Sequence, residues 1–342
     1  MKKILVVFTG GTIGSRIHNS TIDVNEEAGY SLIKLFQDRY HYDVEFDTLQ
    51  PLHMLSENIT PEHWGVLYDL MRDIPLGSYA GIIVTHGTDT LPYTSAALGF
   101  LFHHTPVPII ITGSNYPLER ENSNGFSNFS RSVEFIINAA IPGVFALFQD
   151  NTGRNAVYLA SRIMEADSYN DQYPAFGGVY FGEIKEGRFK PEENRINPSP
   201  GSLVQSGTGL LKGPLTFQNQ ILAIRPYPGL NYDFFRFGNK PRAVLHSLYH
   251  SGTGCINASS NSLPAFIKRC REEGTDFYLM SFKNIDQDLY RTSRELLACG
   301  ATPLRNISFE AAYVKLCIAY NQNVMPPQEY VLKELFHEFL QY

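Results

Sequence analysis

The chain has 342 residues, of which 43% are hydrophobic, and it carries a formal net charge of -6. This length suggests about two domains, and the acidic balance without a basic patch argues against a nucleic-acid partner. No apolar segment approaches the length of a membrane span, and the apolar run at the start is shorter than a signal-peptide core. The four cysteines form no C-x-x-C pair and show no metal-ligand spacing, which favours reduced thiols in a cytoplasmic protein.

In chain order, apolar runs alternate with helical patterns through the first half of the sequence. Strands are predicted at 3–8, 44–49, 81–85, 107–112 and 144–148, and helices at 60–72, 90–103 and 127–139. The run at 81–85 is rich in isoleucine and valine and does not alternate with polar residues, as is typical of a strand covered on both faces. This order predicts the α/β class, with a flavodoxin-like, doubly wound parallel sheet.

The second half begins with a stretch in which this periodicity fades. Glycine, proline and asparagine cluster between about 150 and 220, and the short run Gly178–Ile184 resembles one arm of a hairpin. Beyond it, strands are predicted at 221–225, 243–248 and 277–282, and helices at 263–273, 289–298, 308–320 and from 326 onward. We therefore predict an N-terminal domain over 1–190 that carries the active-site loops, a linker over 191–220 and a smaller α/β domain over 221–342.

Polar and glycine-rich loops follow four of the predicted strands. They are Thr9-Gly-Gly-Thr12, Ser56-Glu-Asn58, His86-Gly-Thr-Asp89 and Gly113-Ser-Asn115. The carboxyl ends of parallel strands share one edge of the sheet, so these loops are expected to converge at a ligand site. Such a site suits attack by a threonine hydroxyl on a carbonyl, with backbone N–H groups near Gly11, Gly87 and Thr88 holding the oxyanion.

Each loop also has a purely structural explanation. Thr9-Gly-Gly-Thr12 has neither the P-loop lysine nor the dinucleotide glycine spacing, and a tight turn alone would explain it. Asp89 could cap the following helix, because aspartate is favoured at that position. His86, at the end of an apolar strand, is of a kind that is more often a hydrogen-bonded core residue than a catalyst.

Two motifs resemble a known family. Thr9-Gly-Gly-Thr-Ile-Gly14 and His86-Gly-Thr-Asp-Thr90, in this order and each after a strand, resemble the two signature motifs of the bacterial L-asparaginase (asparaginase/glutaminase) family. The segments Ser56–Asn58, Thr112–Asn115 and Asn124-Gly125 are also similar to family segments, and the second domain matches more loosely. The long C-terminal helices and the lack of a signal peptide look more like the cytoplasmic type I branch.

The resemblance implies a role for each matching residue. Thr12 would be the nucleophile, and Thr88 the second catalytic threonine in the oxyanion and water-activating network. Asp89 would bind the substrate's α-amino group and Ser56 its α-carboxylate. Glu57 stands where many members carry glutamine and would adjust the contacts of the amino group. Further substrate contacts are expected at Gly11, Gly87 and Ser114.

The sequence departs from the family pattern at three places. Arg162 falls at about the position of a family lysine, and a guanidinium does not lose its proton in proteins, although it could stabilise Asp89. Thr21 or Ile22 stands at the place of the lid tyrosine, and Tyr30 is the nearest tyrosine downstream. Asn284 lies near the place of a glutamate that the periplasmic branch takes from a neighbouring subunit.

The function expected from the resemblance is hydrolysis of L-asparagine to aspartate and ammonia through an acyl-enzyme. No metal or organic cofactor is implied, and a homodimer or homotetramer is expected. Two alternatives remain: a glutaminase or other ω-amidase, including the ammonia-producing part of an amidotransferase, and a non-catalytic protein that binds an amino acid.

Overall fold

A computed structural model describes residues 1–11, 13, 15–18, 21–24, 26–203, 209–282 and 289–341, with the backbone alone for 15–18, 21–24 and 26–29. The chain divides into two compact units. The first contains Met1–Phe217 together with Leu335–His337, and the second contains Gln218–Glu334 together with Glu338–Gln341. The division after Phe217 lies inside the predicted linker.

The first unit is built on an eight-stranded sheet. In chain order its strands are β1 (Lys2–Phe8), β4 (Val44–Leu49), β5 (Gly81–Thr85), β6 (Pro108–Thr112), β7 (Gly143–Gln149), β8 (Asn155–Leu159), β9 (Gly182–Lys185) and β10 (Arg188–Pro191); β2 (Ser15–His18) and β3 (Thr21–Val24) form a separate hairpin. The sheet order is β10-β9-β8-β7-β6-β5-β1-β4. The five strands from β7 to β4 are parallel, and β8, β9 and β10 extend the sheet by antiparallel pairing. Strands β5 and β6 are buried at every position because helices cover both faces of a parallel sheet.

The helices of the first unit start and stop at recognisable signals. They are α1 (Glu26–Arg39), α2 (Pro61–Arg72), α3 (Leu91–Leu101) and α4 (Gly125–Glu134), the last continuing as a π-helical turn over Phe135–Ala139. Helix α2 begins with Pro61, whose missing N–H costs nothing in the first turn. The N–H of Thr60, just before it, donates to His63 Nδ1 at 3.0 Å.

The second unit is a four-stranded parallel sheet with helices. Its elements are β11 (Ile221–Ile224), β12 (Ala243–Ser247), α5 (Leu263–Glu272), β13 (Asp276–Phe282), α6 (Arg291–Ala298), β14 (Thr302–Arg305), α7 (Phe309–Asn321) and α8 (Pro327–Leu332). Its apolar core gathers around Phe266, whose ring stacks on Tyr232 at a centroid distance of 4.7 Å. Ser262 caps α5 by accepting the N–H of Ala265.

The fold confirms the predicted α/β class with a parallel-rich sheet. The sequence-based element list was incomplete, because it lacked α1, β8, β10 and β14. The predicted hairpin arm at Gly178–Ile184 was placed too early, since the strand there is β9. None of the helices in the described ranges combines the length and apolar character that crossing a bilayer requires.

Candidate active site

Three loops of the first unit meet at the carboxyl ends of β1, β4 and β5. A Cβ added to Gly11 would lie 2.3 Å from the Gly87 nitrogen, and one added to Gly87 would lie 2.6 Å from Ser56 Oγ. Gly11 also has a φ of +76°, which a residue with a side chain rarely adopts. We call this meeting point of Gly11, Ser56 and Gly87 the three-loop junction. Its geometry explains physically why glycines follow β1 and β5.

Backbone hydrogen bonds tie the loop after β1 to its neighbours. The N–H of Gly11 donates to the carbonyl of Met54 at 3.1 Å, and the N–H of Thr9 donates to the carbonyl of Thr85 at 3.2 Å. The expected use of the Gly11 N–H as an oxyanion donor therefore changes, because this N–H is engaged within the fold. The N–H groups of Gly87 and Thr88 remain the candidates for that role.

Ser56 anchors Asp89 within the first unit. Ser56 is buried, with 4% of its surface exposed, and its Oγ accepts the N–H of Asp89 at 3.2 Å. The same hydroxyl donates to Asp89 Oδ2 at 3.4 Å, and Thr90 Oγ1 donates to the Ser56 carbonyl at 2.8 Å. Asp89 itself is exposed, so its carboxylate is held at the base and open to a small molecule.

His86 is a buried neutral residue next to the junction. Its Nδ1 donates to the Gly87 carbonyl at 2.7 Å, and its Nε2 is buried with no hydrogen-bond partner among the described residues. Burial lowers the pKa of His86 to about 4, although the bond to Gly87 and the charge of Asp89 raise it in part. A neutral imidazole at this position orients the Gly87 peptide and carries no charge at neutral pH.

The described part of the chain omits one central prediction. Thr12, the expected nucleophile, lies outside the described residues, as does Asn284. The side chains of Thr21 and Ile22 are outside them too. The described neighbours Gly11 and Ile13 are both buried, so the chain on either side of Thr12 lies in the interior of the loop.

The remaining predicted residues lie in different surroundings. Glu57 is exposed beside Ser56. Ser114 is fully buried and its hydroxyl is bonded within its own loop, to the Tyr116 carbonyl and to the side chains of Ser123 and Asn124. These bonds give Ser114 a structural task in the loop after β6, and its contact with substrate stays a prediction.

Arg162 and Tyr30 also have described partners. The guanidinium of Arg162 donates to the carbonyls of His337 at 2.6 Å and Ile196 at 3.1 Å, and to Asn197 Oδ1 at 3.2 Å. With 4% of its surface exposed, Arg162 fastens these segments of the first unit together. Tyr30 lies on α1 and is 59% exposed, with its ring 6.4 Å from that of Phe8. The proposed roles of both residues beside the substrate stay predictions.

The structure adds a segment that sequence reasoning missed. Residues 162–176 fold back on themselves, with Ile163 paired to Ala175 and the N–H of Phe176 bonded to the Arg162 carbonyl at 2.7 Å. We call this segment the 162–176 hairpin. Its Tyr173 donates a hydrogen bond to the carbonyl of Thr88 at 2.7 Å. No local pattern points to this contact, because Tyr173 stands in a stretch without periodicity and lies 85 positions from Thr88.

Comparison with known proteins decides the family. The family model "Asparaginase, N-terminal" matches residues 3–195, which is more than half of the chain and includes the three-loop junction. The chain belongs to the asparaginase family. Membership of this family supports amidohydrolase activity for the chain.

Curated relatives of this asparaginase-family chain carry another name. A glutamyl-tRNA(Gln) amidotransferase subunit from Aeropyrum pernix is 26% identical over 323 residues, covering 92% of this chain and 74% of that protein. A protein of the same name from Saccharolobus solfataricus is 24% identical and covers 98% of this chain and 76% of its own length.

Solved L-asparaginases share the fold of this asparaginase-family chain. The thermostable L-asparaginase from Thermococcus kodakarensis superposes with a TM-score of 0.82 at 22% identity, covering 99% of this chain and 100% of that one. L-asparaginase I from Vibrio cholerae gives a TM-score of 0.79 at 23% identity, covering 99% of both chains. At these identities the likeness concerns the fold alone.

Proposed function

We propose that this chain hydrolyses the side-chain amide of L-asparagine to L-aspartate and ammonia. One observation carries the proposal: an exposed Asp89 carboxylate is held by the buried Ser56 beside the junction of the loops that follow β1 and β5. A carboxylate in this position suits the α-ammonium group of an amino acid. Family membership supports the amidohydrolase chemistry.

In the proposed reaction Thr12 Oγ attacks the amide carbon. The hydroxyl proton passes to the departing nitrogen, so that ammonia leaves and an ester between Thr12 and the aspartyl group remains. Water then attacks this ester through the network of Thr88, which releases L-aspartate and restores the threonine hydroxyl. The N–H groups of Gly87 and Thr88 are the proposed donors to the oxygen on which negative charge develops.

Ser56 is the proposed partner of the substrate's α-carboxylate. Its bond to Asp89 Oδ2 is 3.4 Å long, which is weak for an O–H donor. The hydroxyl proton can therefore turn toward a substrate carboxylate, while Ser56 Oγ still accepts the N–H of Asp89. One side chain would in this way serve both ends of the amino acid.

The decisive experiment is ammonia release from L-asparagine by the purified protein. We expect turnover that disappears in Thr12→Ala and falls strongly in Thr88→Val. Thr12→Ser is the matched control, because it keeps a hydroxyl nucleophile and should retain part of the activity. Asparagine turnover that survives Thr12→Ala would overturn the nucleophile assignment.

A second candidate is release of ammonia for transfer to an acceptor. The curated relatives named as amidotransferase subunits, which match more than nine-tenths of the chain, favour it. Glu57, exposed next to Ser56, is the residue expected to affect the choice of amide. Ammonia release from L-asparagine and L-glutamine, compared side by side, decides between the two amides, and a preference for glutamine would replace the asparaginase proposal.

Assembly and location complete the proposal. We expect a cytoplasmic homodimer or homotetramer, as the resemblance implies. Light scattering of the purified protein at micromolar concentration measures the oligomeric state, and a monomer would contradict this expectation.

A further inference from the structure

The peptide between Thr88 and Asp89 is held at both of its polar ends. Its carbonyl, from Thr88, accepts the hydroxyl proton of Tyr173 at 2.7 Å, and its N–H, from Asp89, donates to Ser56 Oγ at 3.2 Å. A peptide group is planar, so two bonds at opposite ends determine the orientation of the whole plane. That plane sets the direction in which the Asp89 side chain leaves the backbone.

Tyr173 is itself firmly placed. It is buried, with 2% of its surface exposed, and its ring packs edge-on against Phe148 at a centroid distance of 4.8 Å. Its own carbonyl accepts the hydroxyl of the buried Tyr158 at 2.9 Å. Burial, with the charges of Asp89 and Asp171, raises the pKa of Tyr173 well above its usual range, so its hydroxyl keeps the proton that it donates to Thr88.

A second contact joins the 162–176 hairpin to the chain that follows Asp89. Tyr93, in the first turn of α3, donates its hydroxyl proton to Glu165 Oε1 at 2.5 Å. The hairpin therefore contacts this region at two points, one at Thr88 and one on α3. Two separate contacts restrict rotation of the hairpin about either of them, which makes Tyr173 a fixed reference point for the 88–89 peptide.

We propose that Tyr173 is a positioning residue that orients the Asp89 carboxylate toward the ammonium group of a bound amino acid. The inference rests on the proposed function only in taking Asp89 as the ammonium-binding group. Tyr173 contacts a backbone carbonyl and not the substrate. Its effect should therefore depend on whether the ligand carries an ammonium group.

The test compares two ligands that differ in this group, L-aspartate and succinate, by isothermal titration calorimetry. Tyr173→Phe keeps the ring and its packing on Phe148 but removes the hydroxyl. Losing one hydrogen bond to the 88–89 peptide should weaken L-aspartate binding about 10-fold, while succinate affinity stays within about twofold. Turnover gives a parallel measurement, with kcat/KM reduced more for L-asparagine than for succinamate, its analogue without the amino group.

Tyr68→Phe is the matched control. Tyr68 is also buried and donates to a backbone carbonyl of the first unit, that of Leu211 at 3.2 Å. Its loss should leave both ligand affinities unchanged. Succinate binding also reports on folding, and if Tyr173→Phe fails to fold, Tyr158→Phe loosens Tyr173 from one bond further away and should reduce L-aspartate binding selectively but less.

Several results would overturn the inference. An equal loss of L-aspartate and succinate affinity would make Tyr173 a general structural residue, and unchanged L-aspartate affinity would show that it does not act on Asp89. A wild-type protein that fails to bind L-aspartate more tightly than succinate would remove the ammonium contact itself. Absence of ammonia release, with selective L-aspartate binding that depends on Tyr173, would refute the hydrolase proposal and support the inference.

Discussion

The three-loop junction makes a strong prediction for Gly11→Ala. Two separate costs apply, because Gly11 has a positive φ of +76° and because its missing Cβ faces the Gly87 backbone. The left-handed conformation alone costs roughly 1–2 kcal/mol for alanine. The new Cβ would lie 2.3 Å from the Gly87 nitrogen and 2.5 Å from its Cα. These distances are about 1 Å shorter than an ordinary carbon contact, and both partners are backbone atoms that cannot rotate away.

Gly153→Ala separates the two costs. Gly153 has a φ of +84°, close to that of Gly11, but a Cβ there would meet no atom within 4 Å. We expect Gly153→Ala to lose roughly 1–2 kcal/mol of unfolding free energy and to keep full turnover. Gly11→Ala should lose clearly more stability, and its turnover of L-asparagine should fall about 100-fold, because the loops that carry the proposed catalytic groups must move apart by about 1 Å.

Urea denaturation followed by circular dichroism measures the stability of both variants, and ammonia release measures their turnover. The comparison of the two glycines isolates the contact between the loops. If both variants lost the same stability and Gly11→Ala kept wild-type turnover, the loops after β1 and β5 would not meet in the way described.

Three further predictions concern other contacts. Ser56→Ala should raise the KM for L-asparagine about 10-fold, because Asp89 loses the side chain that holds its N–H; an unchanged KM would contradict this, and Thr105→Ala, a hydroxyl bonded within its own turn, is the control. The pKa of His86 is about 4 in the fold and about 6.5 in the unfolded chain, so the unfolded chain binds more protons between these values and stability falls as pH falls through this window. From pH 7 to pH 5 His86→Gln should therefore lose about 2 kcal/mol less than the wild type in urea denaturation, and equal losses would refute the assignment. Lys315→Met should cost about 3–5 kcal/mol because it leaves the fully buried Glu338 carboxylate unpaired, whereas Lys315→Met with Glu338→Leu should restore most of that loss, a recovery that the same denaturation assay measures.

Some elements could be derived from the sequence because their signals are local. The runs that became β1, β4 and β5 are short and apolar, and α2 begins at the Thr60-Pro61 pair that marks a helix start. The polar loops after these strands follow from the same reading, since parallel strands end at a common edge. Helix α1 also left a signal that was not used, because Leu32, Ile33 and Phe36 are buried at helical spacing.

Antiparallel strands β8 to β10 could not be read in this way. They are four or five residues long and lie in a stretch rich in glycine, proline and asparagine. Their pairing depends on the already formed edge of β7, and β14 is short and contains Pro303. In such segments the stabilising contacts come from distant residues, which periodicity does not report.

The candidate site shows the same division between sequence and structure. The types and order of Ser56, Thr88 and Asp89 were evident from the sequence, because each follows a strand and matches a motif. Only the tertiary structure shows that Ser56 holds Asp89 and that Tyr173, from the 162–176 hairpin, holds the Thr88 carbonyl. A sequence specifies which groups are available, but hydrogen bonds between residues 33 and 85 positions apart exist only once the sheet has brought their loops together.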